Sequence, residues 1–399
     1  MVISAHYPPI AGAQATRVSK LIKYLPSYGW IPDVIALNKD AVFGEDRSCL
    51  KDIPREAHVA RVGATQTSIM GLVTRLAIPE SASAWIPVAI RTALSFLRKN
   101  RYDALLSFSF PPSSHIAALG IHLIAHLPWL ADFSDPWTRN PYSGWYPEAR
   151  ESRRSERLES EVLRRASLVG WVTSELRDYQ TRVYSFVEEK SLILTNATEL
   201  SDFPTVQDGK ARKNFVLTHV GNLYGIRKAD YLLDAFARFC HAFPEVPSTL
   251  RFVGNIGPGA EPDPRLIAKA QGAVEFVPFS SRQTALEQMV SADVVVLIDP
   301  STLDRNIFLP MKLVEYLISG RPILALTTSG PSADLVSRYS AGEVVRYDNA
   351  AEIERGIVRS YERSVRGTSQ GARHVPEFEA SNVGRTLASA LDSIAITGR

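Results

Sequence analysis

Apolar residues along this chain gather in short runs separated by longer amphipathic stretches. Val2–Ser4, Asp33–Leu37, His58–Val62, Ala104–Phe108, Trp129–Phe133, Leu168–Thr173 and Ser191–Leu194 are rich in Val, Ile, Leu and Phe and bounded by Gly, Pro, Asp or Asn, which predicts buried strands. Between the first two, Gln14–Leu25 sets Val18, Leu21, Ile22 and Leu25 on one helical face, and helices are also predicted at Ser113–Ala125 and Arg150–Arg165. The second half repeats the pattern. Strands are predicted at Phe215–Val220, Leu250–Val253, Val274–Val277, Val294–Ile298, Pro322–Leu326 and Glu343–Arg346, with a helix at Asp230–Phe243. Alternation of this kind predicts an α/β fold with parallel sheets covered on both faces. Glu199–Asn214 is polar, contains Pro204 and Gly209 and has no period, so it reads as a linker. The expected organisation is two Rossmann-like domains facing each other across a cleft: residues 1–200, a linker at 201–214, and residues 215–375. A C-terminal helix is expected within 376–399.

Composition narrows the function classes. A chain of 399 residues is about right for two domains, and 45% hydrophobic with 22% charged residues is the balance of a soluble globular protein. Two distant cysteines, Cys49 and Cys240, exclude a thiolate zinc site and suit a reducing compartment. Residues 1–200 hold 23 basic and 20 acidic side chains, and the remainder 22 of each, so neither half is a polybasic nucleic-acid binder. No run reaches the ~18 apolar residues of a membrane span, and the first residues lack a secretory pattern. A cytoplasmic protein is expected. Residues 69–97, apolar with interspersed basic residues, read most simply as a buried helix; the alternatives are docking at the inner membrane face or lining an acceptor groove. The arginine- and glutamate-rich stretch 148–165 reads as a solvated helix with ion pairs.

In doubly wound sheets ligands bind beyond the carboxyl ends of strands. After the first strand comes a loop, Tyr7-Pro8-Pro9-Ile10-Ala11-Gly12, whose Gly12 precedes a helix and lets a phosphate approach backbone N–H groups, or else serves only the turn. It is no GxGxxG, which argues against a nicotinamide dehydrogenase. In the second half, Gly221 is followed by Arg227 and Lys228, two cations suited to a pyrophosphate. Pro310 can open a helix through Met311, Lys312 and Leu313, with Glu315 in its first turns able to accept from ribose hydroxyls. Asp132, Ser134 and Asp135 form a polar cluster after a first-half strand, with Asp135 the better candidate to orient an acceptor hydroxyl. His115, at a helix start, is more simply a packing residue, and His6 and His219 are ambiguous. There is no paired-histidine metal spacing, no GxSxG elbow and no P-loop.

With these residues in place the chain resembles the retaining GT-B glycosyltransferases of family four. The resemblance rests on Tyr7-Pro8-Pro9…Gly12, Asp132-Phe133-Ser134-Asp135-Pro136-Trp137, Asn196-Ala197-Thr198-Glu199, Gly221…Arg227-Lys228 and, most specifically, Lys312-Leu313-Val314-Glu315-Tyr316 through Gly320-Arg321-Pro322. It implies transfer of a sugar from a nucleotide-diphosphate sugar to a hydroxyl of a glycan or lipid-linked acceptor, in cell-surface polysaccharide synthesis, without a bound metal or other cofactor for donor activation. Glu315 would bind the donor ribose; Arg227, Lys228 and the helix start at Met311–Leu313 the diphosphate; Phe308, Leu309 and Pro310 would lie by the donor sugar. Lys228 and Asp135 would be the catalytic pair, with Asp132, Ser134 and His115 on the acceptor side. Members of this fold class often return the last helix to the first domain. The chain departs from the family at Phe308, in the stretch before Glu315 where the family carries a first glutamate, at Asn222 in place of an arginine, and at Ser134 in place of a histidine. A nucleotide-sugar epimerase and a non-catalytic partner subunit are the alternatives.

Overall fold

The computed structural model describes residues 1–39, 44–63, 83–142, 153–204, 214–279, 281–366 and 374–395. Part of the apolar stretch 69–97 and most of the expected linker lie outside them. Two compact units form: Met1–Ala197 with Glu377–Arg399, and Thr198–Pro376.

In the first unit, strands β1 (Val2–Ile3), β2 (Asp33–Leu37), β3 (His58–Val62), β4 (Leu105–Ser109), β5 (Trp129–Phe133), β6 (Leu168–Trp171) and β7 (Ser191–Ile193) make one parallel sheet in the order β3-β2-β1-β4-β5-β6-β7. The order reverses direction between β1 and β4, where Val2 pairs with Val34 on one side and Leu106 on the other. Helices α1 (Ala13–Ile22), α2 (Ile86–Leu97), α3 (Ser113–Ala125), α4 (Arg153–Arg165) and α5 (Ser174–Thr181) connect the strands. The expected helix Gln14–Leu25 stops at Ile22, and its last apolar residue enters a 3-10 turn at Leu25–Tyr28, because Pro26 cannot donate the next helical hydrogen bond. β6 is likewise shorter than Leu168–Thr173: Thr173 caps α5, its hydroxyl accepting from Leu176 N.

The second unit repeats the design with β8 (Phe215–Val220), β9 (Ser248–Val253), β10 (Val274–Val277), β11 (Val294–Asp299), β12 (Ile323–Thr327) and β13 (Gly342–Val345), ordered β10-β9-β8-β11-β12-β13 and parallel throughout. Its switch point lies between β8 and β11, where Val294 pairs with Leu217. Helices α6 (Asp230–Ala242), α7 (Pro264–Lys269), α8 (Arg282–Ser291), α9 (Met311–Ser319), α10 (Pro331–Arg338) and α11 (Ala350–Val365) link the strands. Leu217, Phe236, Phe239, Leu250, Val296, Leu324 and Ile353 make its core. The last helix, α12 (Ala380–Ile394), belongs to the first unit, where Val383, Leu387 and Leu391 pack with Val18, Leu21 and Leu25. Tyr28 donates to Ser381 O at 2.9 Å. Among the described residues no helix is long and apolar enough to cross a membrane.

A buried ion pair ties the first sheet to α1. Arg17, 2% exposed, donates to both carboxylate oxygens of Asp132 at 2.9 Å and to Leu194 O and Thr195 O at 2.6 and 2.8 Å. An isolated buried charge is strongly penalised once its partner is removed. Arg17→Met should therefore lose about 3–5 kcal/mol of stability in urea unfolding, while Arg17→Met with Asp132→Leu should lose less than either single change. A double variant as unstable as the sum of the singles would contradict this.

Candidate functional site

At the switch point of the second sheet, β8 is followed by Gly221, whose φ of 138° lies in the region glycine favours. A Cβ here would run into Lys312 Nζ and lie 2.8 Å from its Cε, so the missing side chain is what allows Lys312 to reach across. Lys312 is half-buried near the start of α9, and among the described residues its ammonium touches no hydrogen-bond or ion-pair partner. Burial pushes it down to about 7, helped by the Arg227 charge, with Asp299 and Glu315 pulling the other way.

Arg227 is the second cation. The turn closed by Arg227 N donating to Tyr224 O brings its guanidinium over the Tyr224 ring, 5.0 Å from the centroid, and to 3.5 Å from Asp299 Oδ1. Lys228, the next residue, stays exposed. Arg227 and Lys312 thus both act on the buried Asp299 carboxylate, whereas Lys228, expected as a catalytic and diphosphate-binding residue, is exposed.

Asp299 ends β11 fully buried. Its Oδ2 accepts from Ser332 Oγ at 2.7 Å and Asn306 Nδ2 at 3.1 Å, and its carbonyl accepts from Thr327 Oγ1 at 2.8 Å. Burial pushes its carboxyl up, opposed by Arg227, Ser332 and Lys312. Asn306 also accepts from Phe308 N at 3.1 Å, so the carboxylate fixes the loop that carries Phe308, Leu309 and Pro310 into α9. Phe308, Leu309 and Met311 are buried, and Leu313 is wholly so. Leu313 N donates back to Pro310 O, closing the first turn.

Glu315 follows one turn later. Arg282, at the start of α8, reaches its Oε1 from Nε at 3.1 Å and from a terminal nitrogen at 2.9 Å, and also donates to Asp202 Oδ2 and Thr198 Oγ1. Tyr316 accepts from Val220 N at 2.8 Å, its hydroxyl lying 3.3 Å from Val220 O and Val296 O, which pins α9 to the switch point. His219, buried on β8 with Nδ1 2.9 Å from Val296 O, is held well below its usual range by burial and then by Lys312. It is a neutral core residue.

The first unit disposes of its candidates differently. Asp132 is committed to Arg17 beneath the surface, so the expectation that it meets an acceptor gives way to a structural role. His115 is buried too: Nδ1 lies 2.8 Å from Ser107 Oγ, the ring packs 4.3 Å from Phe133, and burial pushes it down to about 3. Ser134 and Asp135 remain partly accessible after β5; Ser134 Oγ lies 3.0 Å from Asp135 Oδ2 and 2.9 Å from Ser109 O. Gln14 Nε2 donates to the same Ser109 carbonyl at 2.8 Å, so α1, β4 and β5 converge there. Gly12 precedes α1 with φ 119°. Asn222 turns aside, accepting from Asn255 N.

Residues 214–363 match the family model of glycosyl transferases group 1. The match spans the greater part of the second unit, which is thus similar to group 1 glycosyl transferases. None of the curated proteins matches the chain by sequence. Among solved structures, HepE from Anabaena in complex with UDP and glucose superposes with a TM-score of 0.67 at 17% identity, over 98% of this chain and 99% of its own. WaaG, a glycosyltransferase of lipopolysaccharide biosynthesis, gives 0.62 at 15% identity over all of both chains. Trehalose 6-phosphate synthase from Burkholderia multivorans gives 0.62 at 12%, over 99% and 98%. At these identities the likeness is one of fold.

Sequence reasoning missed Asp299, Tyr316 and Arg282. Only Asp299 left a signal, a carboxylate closing the apolar run Val294–Ile298. Since Tyr316 is what pairs the buried Val220 N–H, Tyr316→Phe should cost about 1–3 kcal/mol. Urea unfolding measures this, and a change below about 0.5 kcal/mol would contradict the assignment.

Proposed function

We propose that the protein is a retaining, nucleotide-sugar-dependent group 1 glycosyl transferase that binds its donor at the carboxyl ends of β8 and β11, with the diphosphate between Arg227 and Lys312 and the ribose hydroxyls at Glu315. The observation that carries the reading is the unpartnered Lys312 ammonium set against Gly221 beside a second cation. Two cations side by side repel unless an anion joins them, and a diphosphate is the anion this family brings. During transfer, negative charge gathers on the departing diphosphate. Prearranged cations and the first N–H groups of α9, at Met311 and Lys312, stabilise that charge more in the transition state than in the donor. Phe308, Leu309 and Pro310 lie by the sugar and present no carboxylate to it. Lys228 takes an outer place.

Ser134 and Asp135 are the acceptor-side groups of the first unit, Asp135 orienting the hydroxyl that attacks. The acceptor is a glycan or lipid-linked glycan of a cell-surface polysaccharide, a reading supported by the role of the similarly folded WaaG in lipopolysaccharide biosynthesis. HepE was solved with UDP and glucose, which makes UDP-sugars the first donors to try.

The test is mass-spectrometric detection of nucleotide release from UDP-, GDP- and dTDP-sugars. Arg227→Ala and Glu315→Ala should each lower kcat/KM on the accepted donor by about a hundredfold or more, and Lys228→Ala by less than about threefold. Undiminished turnover in both inner variants would overturn the site, as would a Lys228→Ala loss equal to theirs.

A further inference from the structure

We propose that Lys312 takes up a proton from solvent as the donor's diphosphate enters, so that donor binding and protonation of this one side chain are a single coupled event. The inference rests on the donor site described above and adds to it the protonation state of the empty site. Lys312 is half-buried, and the groups that face it come from four elements. Arg227, from the loop after β8, adds a like charge. Asp299, from the end of β11, pulls toward the charged form, but its oxygens are already engaged by Arg227, Asn306 and Ser332. Glu315, one turn along α9, is engaged by Arg282 from α8. His219, under the cluster on β8, is neutral and offers no charge.

Lys312 is thus a cation whose surroundings supply no free anion at contact distance. Desolvation and Arg227 together favour the neutral amine, and near neutral pH the empty site holds a mixture of amine and ammonium. A diphosphate reverses the balance. It places negative oxygens where no protein acceptor stands, and –NH2 gains a proton to become –NH3⁺, three donors aimed at an anion. Because the proton comes from bulk water, affinity must fall as pH rises above the free-site value and level off below it. Between pH 7 and 9 the linkage amounts to about 50-fold weaker binding if the bound lysine stays protonated throughout. At a pH of about 8 and above, a nucleoside diphosphate is itself fully ionised, so its own titration does not imitate the effect.

The experiment is isothermal titration of the full chain with UDP, GDP and dTDP at about pH 8, in buffers of different ionisation enthalpy, repeated with Lys312→Arg and Lys312→Met. For the diphosphate that binds, the wild type should take up most of one proton and lose affinity about tenfold per pH unit above pH 8. Lys312→Arg keeps a charge that does not titrate, so it should bind with no uptake and a flat pH profile. Lys312→Met should bind weakly, also flat, which guards against an arginine that fits poorly. Binding without proton uptake in the wild type would overturn the coupling while leaving the donor site standing. Uptake that persists in both variants would assign the proton to another group and overturn it equally. If none of the three diphosphates binds, the donor site itself falls, and the coupling with it.

Discussion

One buried carboxylate organises the switch point of the second sheet. Asp299 ends the central strand of the second sheet without solvent contact, in a place where an ionised group survives only if it is surrounded by donors and cations. Its partners come from four separate stretches: Arg227 after β8, Asn306 on the loop into α9, Ser332 in α10 and, through the carbonyl, Thr327 on β12. The loop that precedes α9, the start of that helix and the inner cation are therefore fixed by the same group. Tyr316 completes the arrangement by fastening α9 to Val220. What remains unanswered inside this frame is Lys312, and an unanswered cation in a rigid setting is a place for an anion.

The first unit uses a comparable buried pair for a different end. Arg17 and Asp132 join α1 to β5 and to the chain after β7, and they leave nothing for a ligand to contact. Glu159 on α4 behaves similarly. Its carboxylate accepts from Thr138 N and Oγ1 and from Tyr184 OH, and so anchors the segment after β5 that begins with Ser134 and Asp135. A helix that reads from sequence as a solvated ion-pair surface thus turns one glutamate inward, to hold a loop in place.

The strand–helix alternation and the strand positions were legible because parallel sheets bury both faces and leave near-continuous apolar runs. Boundaries moved where a local rule intervened, as at Pro26 and Thr173. Gly221, Glu315 and the start of α9 stood out as candidates because strand ends and helix starts are where such sheets bind ligands. That Arg227 rather than Lys228 turns toward Asp299 was not legible, since adjacent residues differ only in which way the Tyr224–Arg227 turn aims them. Nor was the pairing of Glu315 with Arg282, which depends on α8 and α9 meeting in space. Asp132 misled for the same reason: its partner Arg17 lies in α1, far away in sequence.

The central claim is that the donor's diphosphate occupies the gap between Arg227 and Lys312 at the carboxyl ends of β8 and β11. A crystal structure of the protein with a nucleoside diphosphate tests it most directly. The account predicts phosphate oxygens within hydrogen-bond distance of Lys312 Nζ and the Arg227 guanidinium, with the ribose hydroxyls at Glu315. A diphosphate held by Lys228 on the outer surface, with Lys312 still unpartnered, would contradict it.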